Sequence, residues 1–217
     1  MKPQLLIAAV PAILLTAAFL AIFFLAPTEQ TMGDVQRIMY VHVSVAWLGL
    51  LGIVFTAGTG LIYLIRRDLA WDHWSQAAGE LGWLACSLTL VTGSLWAREA
   101  WGTWWTWDPR LTTAFILWLI YSGYLVVRAS QAEPHCRARH SAVVAIVGTL
   151  DVPLVVMATR WFRGMHPVAP QMEPAMRGVL LLTAISFVAL FGVLLVLRRK
   201  QIEADRTISI LEQRAAA

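Results

Sequence analysis

Charge is what this 217-residue chain lacks most: only 14% of its residues are Asp, Glu, Lys or Arg, against roughly 25% in an ordinary soluble domain. So few charges cannot cover a water-facing surface, and a soluble globular protein is excluded. Cysteine is nearly absent as well. Cys86 lies inside an apolar run and Cys136 in a basic connecting segment, environments that do not favour a mutual disulfide. Neither belongs to a C-x-x-C-H attachment motif, which excludes a c-type cytochrome. No G-x-x-x-x-G-K-[ST] phosphate loop occurs, which excludes nucleotide hydrolysis by that route. No A-x-A cleavage site follows the first apolar stretch, and that stretch is too long for a signal-peptide core, so it is expected to be a retained span.

Long apolar runs dominate instead, in a chain that is 59% hydrophobic. Six segments are expected to cross a membrane: 5–26, 38–65, 77–97, 111–128, 141–159 and 177–197. Each has about the 20 residues that roughly 30 Å of hydrocarbon requires. They must be helices, because lipid offers no partner to unpaired backbone groups and no alternating barrel pattern occurs. The expected fold is therefore all-α: a single six-span membrane domain over 1–217 with short loops.

Basic residues set the orientation. With six spans the termini share one side, which carries 11 of the Lys and Arg residues: Lys2, Arg66, Arg67, Arg128, Arg137, Arg139, Arg198, Arg199, Lys200, Arg206 and Arg214. The other side carries six, namely Arg37, Arg98, Arg110, Arg160, Arg163 and Arg177. The positive-inside bias puts both termini in the cytoplasm. Three outer loops follow, at 27–37, 98–110 and 160–176.

The second outer loop holds the strongest local feature, Trp101-Gly102-Thr103-Trp104-Trp105-Thr106-Trp107-Asp108-Pro109-Arg110. Tryptophan favours membrane interfaces generally, but four within seven residues exceed what an aromatic belt needs. A helical conformation would put Trp101, Trp104 and Trp105 on one face, forming an apolar shelf for a large planar ligand. Asp108 followed by Pro109 also reads as the N-cap and first turn of the fourth span.

Topology sorts the five histidines. His42, one turn into the second span, and His166, in the third outer loop, share the outer face with the tryptophans. His73, His135 and His140 fall on the cytoplasmic side. Two neutral imidazoles can ligate heme iron from its two faces, and an ionisable group in an apolar span is a functional candidate by default. Among the remaining polar residues, Asp151 in the fifth span is an intramembrane carboxylate and so invites a functional reading, but a structural role is expected of it: staying protonated, or bonding to backbone groups freed by the Pro153 kink. Arg98, Arg110, Arg160, Arg163 and Arg177 are candidates for pairing with propionates. Gly49, Gly52, Gly58 and Gly60 are expected to allow close span packing.

Trp101, Gly102, Trp104 or Trp105, Trp107 and Asp108 resemble the "WWD" signature of the heme-handling family of cytochrome c maturation proteins. Six spans with one histidine on each side of the signature are similar to the C-type members, CcmC. Tyr40-Val41-His42-Val43 resembles that type's first-histidine motif, and Met165-His166-Pro167 occupies the position of the second. The F-type and CcsA-type relatives carry more spans and additional histidines. The resemblance implies protoheme (heme b) bound at the outer face of a bacterial inner membrane, with His42 and His166 as axial ligands. It implies a platform of Trp101, Trp104, Trp105, Trp107 and Asp108. It further implies delivery of heme to the periplasmic chaperone CcmE, where a lyase-like positioning role would aid covalent attachment, and association with the transporter subunits CcmA and CcmB and the small protein CcmD. A transporter subunit would instead need a polar path or broken helices at the midplane, which only Asp151 with Pro153 suggests. A structural anchor would need neither the paired histidines nor the clustered tryptophans.

Overall fold

In a computed structural model, residues 3–166 and 172–216 are described, with side chains from residue 8 onward. Lys2, one of the charges counted above, and Pro167 of the second-histidine motif lie outside them. Every regular element among the described residues is helical. α1 (Pro3–Leu20) runs into a π-helical turn at Ala21–Leu25, and a 3-10 turn at Asp34–Gln36 leads into α2 (Arg37–Arg66). Then follow α3 (Leu69–Trp101), α4 (Pro109–Ser130), α5 (Pro134–Thr149), α6 (Val152–Trp161) and α7 (Pro174–Ala216).

α5 and α6 form one bent rod, so the seven helices make six rods, the number of spans expected. Five of the six rods are long and apolar enough to span a membrane. The exception is α3, the helix that packs against α2, α4, α5 and α7. A helix surrounded by other helices can carry polar groups that lipid would not accept. At 33 residues it runs about 50 Å, longer than the segment its hydropathy marks. Asp68 caps its start by accepting the Ala70 N–H at 2.9 Å.

Helix ends are set by local chemistry. Arg67, in the left-handed region at φ 56°, closes α2 one residue before the Asp68 cap. Gly102, at φ 73°, ends α3 and returns its N–H to the Arg98 carbonyl at 3.1 Å. Asp108 caps α4 through the Leu111 N–H at 2.9 Å, with Pro109 in the first turn. The rod of α5 and α6 breaks at Leu150 and Asp151, whose N–H groups bond back to Val147 and Gly148 at 3.1 Å each. Pro153 has no N–H to continue the α-helical ladder, which accounts for the break. Asp151 precedes α6 without a side-chain cap bond. The kink expected there is present, but the carboxylate does not supply the freed backbone groups.

Helices join through small residues and a few hydrogen bonds. A Cβ on Gly52 would meet the Gly82 Cα at 3.0 Å, so α2 and α3 touch backbone to backbone there. Gly49 and Gly60 face neighbouring helices in the same way, whereas Gly58 meets nothing within 4 Å and has no packing role. The Tyr121 hydroxyl, fully buried on α4, lies 3.2 Å from both the Ile53 carbonyl of α2 and the Ala145 carbonyl of α5. Trp118 Nε1 donates to Ser87 Oγ, and Trp83 Nε1 to Ser122 Oγ, both at 2.8 Å. Both cysteines are free.

Arg37, one of the six basic residues assigned to the outer side, has a local structural task. Its guanidinium donates to the Ile22 and Phe23 carbonyls at the π-helical end of α1 and pairs with Asp34 at 2.9 Å. The same connecting segment is closed by Glu29, whose carboxylate accepts the Thr31 and Met32 N–H groups. The Met32 N–H bond foremost holds this carboxyl below its usual range.

Candidate functional site

The start of α2, the end of α3 and the start of α4 lie at one end of the bundle, and between them opens a cleft. Its walls come from α2 (His42, Ala46, Trp47, Leu50), α3 (Thr89, Gly93, Trp96, Trp101), Trp105, α4 (Arg110, Leu111, Ala114) and His166. Leu117, Cys86 and Val155 close it at depth. The cleft is open to the outside. From His42 to Leu50 it descends about 12 Å along α2, so the cleft enters the apolar layer rather than lying flat on it.

His42 and His166 reach this one cleft from positions 124 residues apart. The other three histidines are elsewhere. His73 belongs to the start of α3, and His135 and His140 to the start of α5, at the opposite end of the bundle. That end is organised by a different device. Arg128, itself buried, makes a bidentate pair with the buried Asp72 at 2.8 and 2.9 Å and donates to the half-buried Gln76 at 2.9 Å.

The tryptophan segment is not helical. α3 ends at Trp101, α4 starts at Pro109, and the residues between follow an irregular path. The shared helical face considered for Trp101, Trp104 and Trp105 is therefore absent, because Gly102 ends one helix and Asp108 caps the next. The loop is pinned by Ser94 Oγ donating to the Trp104 carbonyl at 2.8 Å and by Arg98 donating to the Gly102 carbonyl at 2.7 Å. Its tryptophans divide. Trp101 and Trp105 line the cleft, whereas Trp104 and Trp107 are 55% and 73% exposed. The Trp101 ring packs edge-on between Trp96, at 5.0 Å, and His166, at 6.4 Å. Trp105 and Trp107 both pack on Phe115.

Asp108 is not among the residues that line the cleft. It is buried, and its two oxygens are divided between the α4 cap and the His166 backbone N–H, the latter at 3.2 Å. Gly164 fits against the same carboxylate, where a Cβ would approach Oδ2 to 3.1 Å. The N-cap expected of Asp108 is present, and its second oxygen reaches the segment that holds His166.

Of the five candidate arginines, Arg110 alone lines the cleft. Arg98 lies over the Trp104 ring at 5.9 Å, Arg177 donates to the Met172 carbonyl, and Arg160 and Arg163 are exposed. Asp151 lies outside the cleft wall. Trp47 and Trp96 are cleft residues that sequence reasoning missed. A signal was available: Ala46 and Leu50 follow His42 at helical spacing, and Gly93 and Trp96 follow Thr89.

Chemically, the cleft is an apolar slot with two imidazoles and one guanidinium near its mouth. The buried indole N–H groups of Trp96 and Trp105 have no partner among the described residues. Such a site suits a large planar apolar ligand that carries a metal and an acidic edge.

Comparison with known proteins gives a consistent picture. Residues 1–214 match the family model described as CcmC, heme exporter protein C. The heme exporter protein C of Bradyrhizobium diazoefficiens is 34% identical over 202 residues, covering 88% of this chain and 76% of the relative. That of Rhodobacter capsulatus is 34% identical, covering 88% and 83%, and that of Escherichia coli K12 is 29% identical, covering 92% and 82%.

Proposed function

This chain belongs to the heme exporter protein C family, and from that premise we propose that it holds protoheme at the outer, periplasmic face of a bacterial inner membrane and delivers it to the heme chaperone CcmE during cytochrome c biogenesis. Both termini are cytoplasmic in this reading, and CcmA, CcmB and CcmD are its membrane neighbours.

One observation carries the proposal. His42 and His166, from distant parts of the chain, line the same apolar cleft with Trp101, Trp105 and Arg110. Heme iron offers one axial position on each face of the ring, and the two imidazoles supply the two ligands. Trp101 and Trp105 bury the macrocycle, since indole rings pack favourably on an aromatic plane. Arg110 pairs with a propionate, for which its planar fork is suited. Asp108 acts indirectly, by tying the His166 loop to α4. Trp104 and Trp107, being exposed, are placed for contact with the chaperone or the lipid surface rather than with the ring. The protein's contribution to covalent attachment on the chaperone is then positioning.

A transport path through the bilayer would use the break between α5 and α6, but Asp151 is not part of the cleft wall.

The test is the absorption spectrum of the purified, heme-loaded protein. A six-coordinate bis-histidine heme is expected. His42→Ala and His166→Ala should each open one axial position, and added imidazole should close it again. Replacing His73, His135 or His140 should leave the spectrum unchanged. Wild-type spectra and heme stoichiometry in both outer-histidine variants would overturn the ligand assignment.

A further inference from the structure

His42 belongs to α2, but its ring is seated by α3. Nδ1 lies 3.0 Å from Thr92 Oγ1. That hydroxyl is also 2.7 Å from the Leu88 carbonyl and 3.3 Å from the Thr89 carbonyl. A carbonyl can only accept, so the single hydroxyl proton of Thr92 is committed to its own helix. What Thr92 turns to the imidazole is then an oxygen lone pair. A lone pair at hydrogen-bond distance from a ring nitrogen calls for an N–H there, so Nδ1 carries the proton and Nε2 keeps its lone pair. The next residue completes the seat: a Cβ on Gly93 would come within 2.9 Å of His42 Cε1, so any larger residue there would have to displace the ring from this position.

We propose that Thr92 is the positioning residue for iron ligation by His42: its hydroxyl oxygen holds the imidazole as the Nδ1–H tautomer and leaves Nε2 as the ligating atom. This rests on the reading of His42 as an axial ligand. Ligating histidines generally donate their second ring N–H to such a partner, and removing the partner typically weakens metal binding by about 10- to 100-fold.

Two measurements test it on the full-length protein in nanodiscs. The first uses no heme. With ¹⁵N-labelled histidine, and His42 assigned by its absence in His42→Ala, the neutral ring should show the Nδ1–H tautomer. Thr92→Val should abolish that preference, and Thr92→Ser should keep it. An Nε2–H tautomer in the unmodified protein would overturn the proposal without recourse to any variant. The second titrates heme into the same set. Thr92→Val should bind about 10-fold more weakly or worse and give a spectrum displaced toward that of His42→Ala, while Thr92→Ser should match wild type. If His42→Ala alters the spectrum and Thr92→Val does not, the positioning role fails and the ligand stands. If His42→Ala leaves the spectrum unchanged, the ligand assignment fails and the positioning role fails with it.

Discussion

The Asp108 carboxylate joins two segments: one oxygen accepts the Leu111 N–H at 2.9 Å, and the other accepts the His166 N–H at 3.2 Å. A single side chain therefore sets both where α4 begins and where the third outer loop returns to the cleft. The two bonds can be separated. Asp108→Asn keeps one carbonyl oxygen for the cap but turns an NH2 group toward the His166 N–H. Asp108→Ala loses both, at a cost of about 1 kcal/mol for the cap. Asp108→Asn should keep near-wild-type thermal stability while its heme spectrum moves toward that of His166→Ala. Spectra and melting curves of the two variants check this, and an unchanged Asp108→Asn spectrum would detach the carboxylate from the His166 loop.

The propionate assignment makes a separate prediction. Arg110 alone among the candidate arginines lines the cleft. A hydrogen bond to a charged group contributes about 1.5–3 kcal/mol, or roughly 10- to 100-fold in binding. Wild-type protein should bind protoheme more tightly than its dimethyl ester, by a factor within that range. In Arg110→Gln the discrimination should largely vanish while the ester binds much as before. Titration of the two porphyrins into the two proteins decides it. Equal discrimination in both would move the propionates elsewhere.

How much of this was legible in the chain depends on the range of the forces involved. The spans could be read because an apolar run must match the bilayer thickness, and the Asp108-Pro109 cap because it is local chemistry. The sorting of the histidines followed from the order of the spans. The tryptophan loop was less legible. Its conformation depends on Gly102 stopping α3 in the left-handed region, after which too few residues remain before Asp108 to form another helix. The same two positions contained the correction, since a glycine stop and an aspartate start so close together leave room for a loop only. The full extent of α3 was hidden because its polar residues lower its hydropathy while neighbouring helices shield them. The seat of His42 on Thr92 and Gly93 could not be read at all, since it exists only when two packed helices bring together residues 50 positions apart in sequence.

The opposite end of the bundle should govern stability rather than heme. Asp72 and Arg128 are 2% and 6% exposed and are joined by two hydrogen bonds. Removing one partner strands a buried charge, which typically costs about 3–5 kcal/mol, whereas replacing both with apolar residues is often close to neutral. Arg128→Met should sharply reduce folded protein recovered from membranes, and Asp72→Leu combined with Arg128→Met should restore much of it. Heme bound per folded chain should be unchanged in both. Size-exclusion profiles with heme quantified in the monodisperse fraction check this, and a loss of heme in the well-folded double variant would tie this pair to the cleft.

The division among the tryptophans yields the sharpest separation of roles. Trp101 and Trp105 line the cleft, while Trp104 and Trp107 point away and are more than half exposed. Ring packing contributes on the order of 1 kcal/mol per pair beyond simple burial, so losing two indoles from the cleft should weaken heme binding by about 30-fold. Trp101→Ala with Trp105→Ala is therefore expected to lose heme, with the chaperone contact reduced only as far as it depends on heme. Trp104→Ala with Trp107→Ala is expected to retain heme with a wild-type spectrum and to lose chaperone capture. Insertion should survive in both, because the spans supply it. Heme content and co-purification of CcmE, compared at equal membrane abundance, give the two readouts. If the outward pair also lost heme, the ligand would extend over the loop rather than into the cleft. If the inward pair kept it, Trp47 and Trp96, which also line the cleft, would supply the aromatic wall instead, and the tryptophan loop would have no part in burying the macrocycle.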